Sequence, residues 1–235
     1  MGDDARQILQ QYVVLTEFLG KALGPSYEIV LHDLTDKNRS VIAVANAHIS
    51  GRSVGAPLTN IALGVLRDKS YENSDYRLNY FGLSANGKVL RSNTMFIKHK
   101  GEPIGMLCIN YDGSRVESIA RELLSLVHPD SFLEELHAKD SVPVSEDSDL
   151  SSENPEKFCR SSKEVAADAV RHELAIRGLS EGRLSTEDKL EVVAALDADG
   201  IFLLKGVVHE VAEALSCSDA SMYRYLAQIK KKNDN

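Results

Sequence analysis

Cysteine, basic charge and long apolar runs are all scarce in this 235-residue chain, and each scarcity closes off a class of function. The three cysteines, Cys108, Cys159 and Cys217, are odd in number and share no metal-like spacing. A disulfide framework and a cysteine-based zinc site are therefore both poor fits, and a reducing cytoplasm suits them better, with Cys108 and Cys217 as small core residues. No apolar stretch approaches a membrane span, and Met1-Gly-Asp-Asp lacks the basic start of a secretory signal, so a cytoplasmic protein away from the membrane is expected. The formal charge of −8 speaks against a general nucleic-acid coat, because non-specific phosphate binding needs concentrated Lys and Arg.

Catalytic motifs are wanting too. Gly82-Leu-Ser-Ala-Asn-Gly-Lys-Val89 nearly spells a phosphate loop, but Val89 stands where Ser or Thr would hold magnesium, and the segment after it reads as a strand. No Ser/His/Asp or Cys/His order is defensible from spacing, and His32 and His48 have no partner at metal-ligand spacing. The expectation is a protein without cofactor or metal that is not an enzyme. An enzyme built on His32, Asp33 and His48 is the weakest of the readings weighed.

What the chain does carry is concentrated near its end, in Glu210-Val-Ala-Glu-Ala-Leu-Ser-Cys-Ser-Asp-Ala-Ser-Met-Tyr-Arg-Tyr-Leu226. Helical spacing puts Val211, Ala212 and Leu215 on one face of a short helix. Ser216-Cys217 interrupt it, and Ser218 is a good N-cap for a second helix. There Met222, Tyr225 and Leu226 face inward, while Ser221, Tyr223 and Arg224 face out and Lys230, Lys231 and Lys232 follow. Two helices through so short a turn make a helix-turn-helix, whose second helix enters a DNA major groove. Its predicted DNA-binding set is Ser218, Ser221, Tyr223, Arg224, Lys230, Lys231 and Lys232. The same pair of helices could instead serve protein contacts.

Ahead of it, Arg6 to Leu23 repeats apolar residues at helical intervals and stops at Gly24-Pro25. Tyr27–Leu34 and Ser40–Asn46 read as a strand pair and Leu58–Leu66 as a helix. Tyr76–Leu83, Val89–Lys98 and Pro103–Tyr111 read as a meander, turned at Asn86-Gly87 and Lys100-Gly101. Two strands, a helical crossing and a three-strand meander are the order of a PAS-type sensor domain, with a cavity expected between sheet and helices. Val116–Leu126 is a further amphipathic helix, and Phe132–Leu136 is expected to close the domain. The fold class expected is α+β: residues 1–137 a PAS-like sensor and dimerisation domain, 138–161 a flexible acidic linker, and 162–235 an all-α helix-turn-helix domain. In the last, Ser185-Thr-Glu-Asp188 reads as a capping box with Asp in place of Glu.

The richest polar stretch is Asn46-Ala-His-Ile-Ser-Gly-Arg-Ser-Val-Gly-Ala-Pro-Leu-Thr59, where glycines let backbone approach a ligand and Arg52 can pair with a carboxylate. His32, Asp33, Asn46, His48 and Arg52 are the predicted ligand-binding residues. The alternative is local: Asn46 and Ser50 capping turns, and Arg52 paired with Asp33 or Asp36.

Tyr27–Leu34, Asn46–Leu58, Ile104-Gly-Met-Leu-Cys-Ile-Asn110 and Gly200-Ile-Phe-Leu-Leu-Lys-Gly-Val207, with the helix-turn-helix after it, together resemble the YheO-like transcriptional regulators over nearly the whole length. That resemblance implies a PAS-like N-terminal domain, a C-terminal DNA-binding domain and control of a catabolic or stress-linked operon. Ser216-Cys217 depart from the Gly-Val common at such turns. The expected partners are a double-stranded DNA operator, a small polar ligand such as an amino acid or organic acid, and a second copy of the chain. Repression is expected rather than activation. The alternative is a small-molecule sensor acting through protein–protein contacts.

Overall fold

The sheet has six strands in the order β2-β1-β5-β4-β3-β6, and every neighbour pair is antiparallel except β3 and β6. The strands are β1 (Tyr27–Asp33), β2 (Val41–Ala45), β3 (Tyr76–Leu83), β4 (Val89–His99), β5 (Glu102–Asp112) and β6 (Glu156–Lys157). The structure, a computed structural model, describes residues 3–84, 87–127, 156–180 and 184–233. Asn86, the Phe132–Leu136 segment and most of the expected linker lie outside the described residues, as does the Lys232 side chain.

Alternation along the strands separates two faces. On one, Ile29, Leu31, Ile97 and Leu107 pack with Leu9 of α1 (Asp3–Leu23), which runs across β1 and β2. Burying each such side chain contributes about 1.5–3 kcal/mol. The other face carries Val30, Phe96, Met106 and Cys108 toward α2 (Asn60–Asp68), which Thr59 caps by accepting from Ala62 N. The apolar residues of α3 (Ser114–Val127) find no such cover among the described residues: Val116, Ile119, Leu123 and Leu126 are exposed on one stripe.

One interruption matters for function. In β3, Leu78 and Asn79 stand together against Asn93 of β4, and Asn79 takes a left-handed φ of 55° with its N–H on Asn93 Oδ1 at 3.0 Å. The extra residue of this bulge resets the alternation, so Tyr80 and Gly82 both face the inner side.

The C-terminal domain is helical: α4 (Ser162–Ile176), α5 (Thr186–Ala198), α6 (Val207–Ala214) and α7 (Asp219–Asn233). The Asp variant of the capping box is realised at Ser185 and Asp188, each side chain bonded to the other residue's backbone N–H. Its core (Val170, Val193, Leu196, Val211, Leu215 and Met222 among others) is continuous with the apolar cluster on the inner face of the sheet. Polar contacts stitch the same seam. Asn38 bonds Ser162 Oγ at 2.8 Å and both backbone groups of Lys205, and Arg67 of α2 pairs with Asp197 of α5 at 2.6 Å.

The sequence reading made 138–161 a linker. Its described end behaves differently: Glu156–Lys157 pairs with β3 as β6, and Phe158 is buried with Ile49 and Leu90. The physical reason is an apolar anchor beside an edge strand whose unpaired backbone groups accept one more partner.

Candidate functional site

A polar row crosses the inner face of the sheet. Pairing sets Glu28 opposite Asn110, Asn110 opposite Ser92, and Ser92 opposite Tyr80, each on the next strand. The loop after β2 closes over this row and brings Ser50, Arg52 and Thr59 down onto it, all buried. Glu156 arrives from β6, opposite Gly82. Glu28, Arg52 and Glu156 are 0%, 3% and 3% exposed, so three ionisable groups share one buried chamber.

Most of their polar atoms are met. Glu28 Oε1 accepts from Ser50 Oγ at 2.7 Å and Glu28 Oε2 from Asn110 Nδ2 at 2.9 Å. Glu156 Oε1 accepts from Thr59 Oγ1 at 2.7 Å, and one Arg52 terminal nitrogen donates to Pro57 O. His32 Nδ1 and Ser40 Oγ are 2.9 Å apart, and Tyr80 Oη and Thr94 Oγ1 are 2.8 Å apart. Without a hydrogen-bond partner among the described residues stand Arg52 Nε, Asn110 Oδ1, Glu156 Oε2 and Ser92 Oγ. Ser92 Oγ and the Tyr80 hydroxyl both lie near enough to Glu156 to favour its charge, without a bond of normal geometry to Glu156 Oε2.

Burial governs the electrostatics. It pushes Glu156 above the usual carboxylate range, against the opposing pull of Thr59 and of the Arg52 charge. Glu28 is raised likewise, with Asn110, Ser50 and Arg52 opposing. Burial, helped by Arg52, holds His32 well below its ordinary value of 6.5, so its imidazole is neutral. The Cys108 thiol is pushed up to about 12, a core thiol rather than a nucleophile.

The expected cavity is nearly closed. Beside the polar row a void of only about 10 Å³ remains, lined by Ile61, Val65, Arg77, Tyr80, Thr94 and Met106 among others. That is room for no more than one water. Glu156, Phe158 and the loop bearing Arg52 take up the rest.

The second candidate surface is the helix-turn-helix. Val211 and Ala212 of α6 and Leu215 just past its end are buried in one core with Met222 and Tyr225 of α7. Ala212, 1% exposed, contributes a small side chain to that core. The turn is held by Cys217 N donating to Ala212 O and by Lys189 Nζ donating to Ser216 O at 3.1 Å. Ser218 Oγ accepts from Ser221 N at 3.2 Å, capping α7. Outward stand Tyr223, 62% exposed, with Arg224, Lys230 and Lys231. Tyr223 and Lys230 also line a groove of about 460 Å³ that they share with Arg67 and Asp197 at the seam between domains.

Residues 3–128 match the family of YheO-like PAS domains, and residues 165–227 match a helix-turn-helix domain family. The chain belongs to the YheO-like PAS family and carries a helix-turn-helix domain. An uncharacterized protein of Haemophilus influenzae is 29% identical over 233 residues, covering 99% of this chain and 96% of that one. YheO of Escherichia coli K12, itself described as uncharacterized, is 27% identical over 224 residues, covering 95% and 85%. The transcriptional regulator DauR of Pseudomonas aeruginosa is 27% identical over 230 residues, covering 96% of each chain. The YheO-like chain is thus a member of a transcriptional regulator family that joins a PAS-like domain to a helix-turn-helix, and that domain supports DNA binding. No described helix is long and apolar enough to cross a membrane.

In this YheO-like chain the predicted ligand-binding residues separate. Arg52 and His32 face the inner side of the sheet, while Asp33, Asn46 and His48 do not join them. Asp33 accepts from Thr35 N and Oγ1 at a turn. Asn46, at φ 58°, donates through its amide to Gly20, Gly24 and Tyr27 carbonyls, tying the end of α1 to β1. His48 is exposed. Arg52 turns away from Asp33 and Asp36 toward Glu28 and Glu156. Sequence reasoning passed over Glu28, Thr59, Ser92, Asn110 and Glu156. The available signal was strand parity, since Glu28 shares the inward parity of Val30, and Asn110 that of Cys108.

Proposed function

We propose that the protein is a cytoplasmic transcriptional repressor that reads a double-stranded operator with α7 and is controlled by a small polar ligand at the Arg52 chamber. The observation that carries this reading is a packed helix-turn-helix whose outward face presents Tyr223 and Arg224, followed by Lys230 and Lys231, on a chain of net charge −8. The basic groups are gathered where phosphate contacts are needed. In this reading Ser218 caps α7, Ser221, Tyr223 and Arg224 lie nearest bases or phosphates, and Lys230 and Lys231 meet the flanking DNA backbone, with Lys232 assigned there from the sequence alone.

The chamber supports ligand control because buried charged groups with unmet donors and acceptors are costly unless something is gained by them. Tyr223 and Lys230 border the same groove as Arg67, so a shift at the seam alters the surroundings of the reading helix. We further propose a homodimer. The exposed stripe Val116, Ile119, Leu123 and Leu126 recurs at spacings of three and four, the pattern that packs against an equal helix, and α1 adds exposed Val14 and Phe18. A two-fold dimer matches two half-sites on DNA.

Gel shift of the full chain against its own upstream DNA tests the regulator reading. A retarded band that weakens with salt and is lost with Arg224→Ala supports it. Binding insensitive to both removes it. Sedimentation of wild type and Leu123→Asp tests the dimer, which the charge is expected to split.

A further inference from the structure

Glu156 stands on neither the sensor sequence nor the DNA-binding sequence proper, yet it is buried among the sensor's polar groups. It is the second-last residue before Phe158, whose ring fills the space over Gly82; a Cβ built at Gly82 would fall 2.7 Å from that ring and 2.7 Å from Ser92 Oγ. Four residues beyond Phe158 the chain enters α4 of the helix-turn-helix domain. Glu156 is therefore a carboxylate delivered into the chamber by the strap that leads to the DNA-binding domain. Among the described residues the strap's polar ties to the sheet and α2 side are the short pairing of β6 with β3, Thr59 Oγ1 to Glu156 Oε1, and Lys157 N to Asn60 Oδ1 at 2.8 Å, while Lys157 Nζ pairs with Asp168 of α4 at 2.6 Å.

The fit between Glu156 and the chamber is incomplete. Arg52 acts on it through space, but Arg52 Nε, a natural edge for a planar carboxylate, has no hydrogen-bond partner among the described residues, and Glu156 Oε2, though near Ser92 Oγ and the Tyr80 hydroxyl, makes no bond of normal geometry among them either. A tethered group held short of its best geometry is open to replacement by a free one that reaches it.

We propose that Glu156 is a built-in occupant of a carboxylate-binding site at Arg52, and that the ligand is a small carboxylate which displaces it and so frees the strap into the DNA-binding domain. This rests on the reading that the Arg52 chamber receives the ligand, and adds both its chemical class and the way its arrival reaches α4. A ligand carboxylate takes Arg52 Nε and the Thr59 hydroxyl, and Asn110 Oδ1 accepts from a donor on the same molecule. The two sites are then linked by exclusion, since carboxylate and strap cannot occupy the chamber together.

The test uses the full chain, wild type and Glu156→Gln, with sodium acetate as probe and acetamide as the uncharged comparison at equal ionic strength. A tethered competitor acts at an effective concentration in the millimolar range, so acetate is expected to bind Glu156→Gln about tenfold more tightly than wild type. In the wild type, acetate but not acetamide is expected to speed amide hydrogen exchange at Lys157. Equal acetate affinity in the two proteins, or Lys157 exchange unchanged at saturating acetate, overturns the displacement. If that equal affinity disappears with Arg52→Gln, the chamber still receives carboxylates and displacement alone is wrong. If acetate binds neither protein while both retard the upstream DNA, the ligand site itself is misplaced and the proposal falls with it. The exchange measurement needs no variant, so a misfolded substitution leaves the question decidable.

Discussion

Arg67 and Asp197 meet at 2.6 Å, with Arg67 Nε also donating to the Asp197 carbonyl, and this double contact joins α2 of the PAS-like domain to α5 of the helix-turn-helix domain. Part-exposed pairs of this kind stabilise little by themselves. What the pair marks is a close seam. Three residues on, Gly200 lies so near α2 that a Cβ there would fall 2.7 Å from Leu63 O. On the proposed reading, this seam is the path by which movement of the strap or the chamber would reach the reading helix as a shift between packed arrangements.

Gly200→Ala is therefore expected to open the seam. Its φ of 76° is strained for alanine, and the clash with Leu63 O adds to that strain. Urea unfolding of the full chain should show a loss of about 2 kcal/mol or more. A change below about 0.5 kcal/mol, the level of an ordinary surface substitution, would mean that the domains do not pack this closely in solution.

The parts legible in the sequence were those with a local signature. Strand alternation and Gly-containing turns revealed β1 to β5, and helical spacing revealed the helix-turn-helix with its Ser218 cap. The bulge at Leu78 and Asn79 was invisible, because a reset of parity needs the facing Asn93 to be noticed. Asn46 looked like a ligand group and is an anchor for three backbone carbonyls, a role fixed by where α1 ends. Glu156 was hidden most thoroughly. It lies at the end of a run of Ser, Asp, Glu and Pro, and long-range contacts give it a place: its own bond from Thr59, the bond of neighbouring Lys157 N to Asn60, each across 97 residues, and the pairing on Gly82. Long-range exclusion leaves no periodic trace.

Ser216, read as an atypical turn residue, adopts a left-handed φ of 49°. Glycine reaches that conformation without the Cβ penalty. Ser216→Gly is expected to raise the stability of the helix-turn-helix domain by about 0.5–1 kcal/mol while leaving operator affinity within twofold, about 0.4 kcal/mol. Thermal unfolding and gel shift together measure this. A lower melting temperature would show that the serine contributes something its backbone geometry does not reveal.

Arg224 and Lys230 should fail in different ways on DNA. Arg224, exposed on the outward face and tied among the described residues to Ser221 Oγ at 3.3 Å, can reach a base edge. Arg224→Ala is expected to weaken operator binding about tenfold or more and to relax sequence preference. Lys230→Ala is expected to weaken all sequences alike and to reduce the slope of log affinity against log salt by about 1. Titrations at several salt concentrations, on operator and on scrambled DNA, separate the two. Identical behaviour of the two variants would count against the assigned roles.

His32 sets an acid-side limit on stability. In the fold its pKa lies well below 6.5, through burial and then the Arg52 charge, whereas in the unfolded chain it protonates near that value. The neutral form is thus favoured by folding. Its stabilising effect is complete above the unfolded pKa and is lost as pH falls from there toward the folded pKa. Between pH 7.5 and 5.5 the loss from this one residue amounts to about 1.4 kcal/mol, provided the folded imidazole stays neutral throughout. Glu28 and Glu156 act in the opposite sense. Their folded pKa values are raised, so their effect is complete below the unfolded carboxylate value and is lost as pH rises through the folded one. Wild-type stability alone therefore blends the two. His32→Asn, which can still bond Ser40, isolates the histidine. Urea unfolding at the two pH values should show wild type losing about 1.4 kcal/mol relative to the variant. Equal pH dependence in both proteins would mean that the imidazole titrates in the fold as it does in water, and that the chamber is wet.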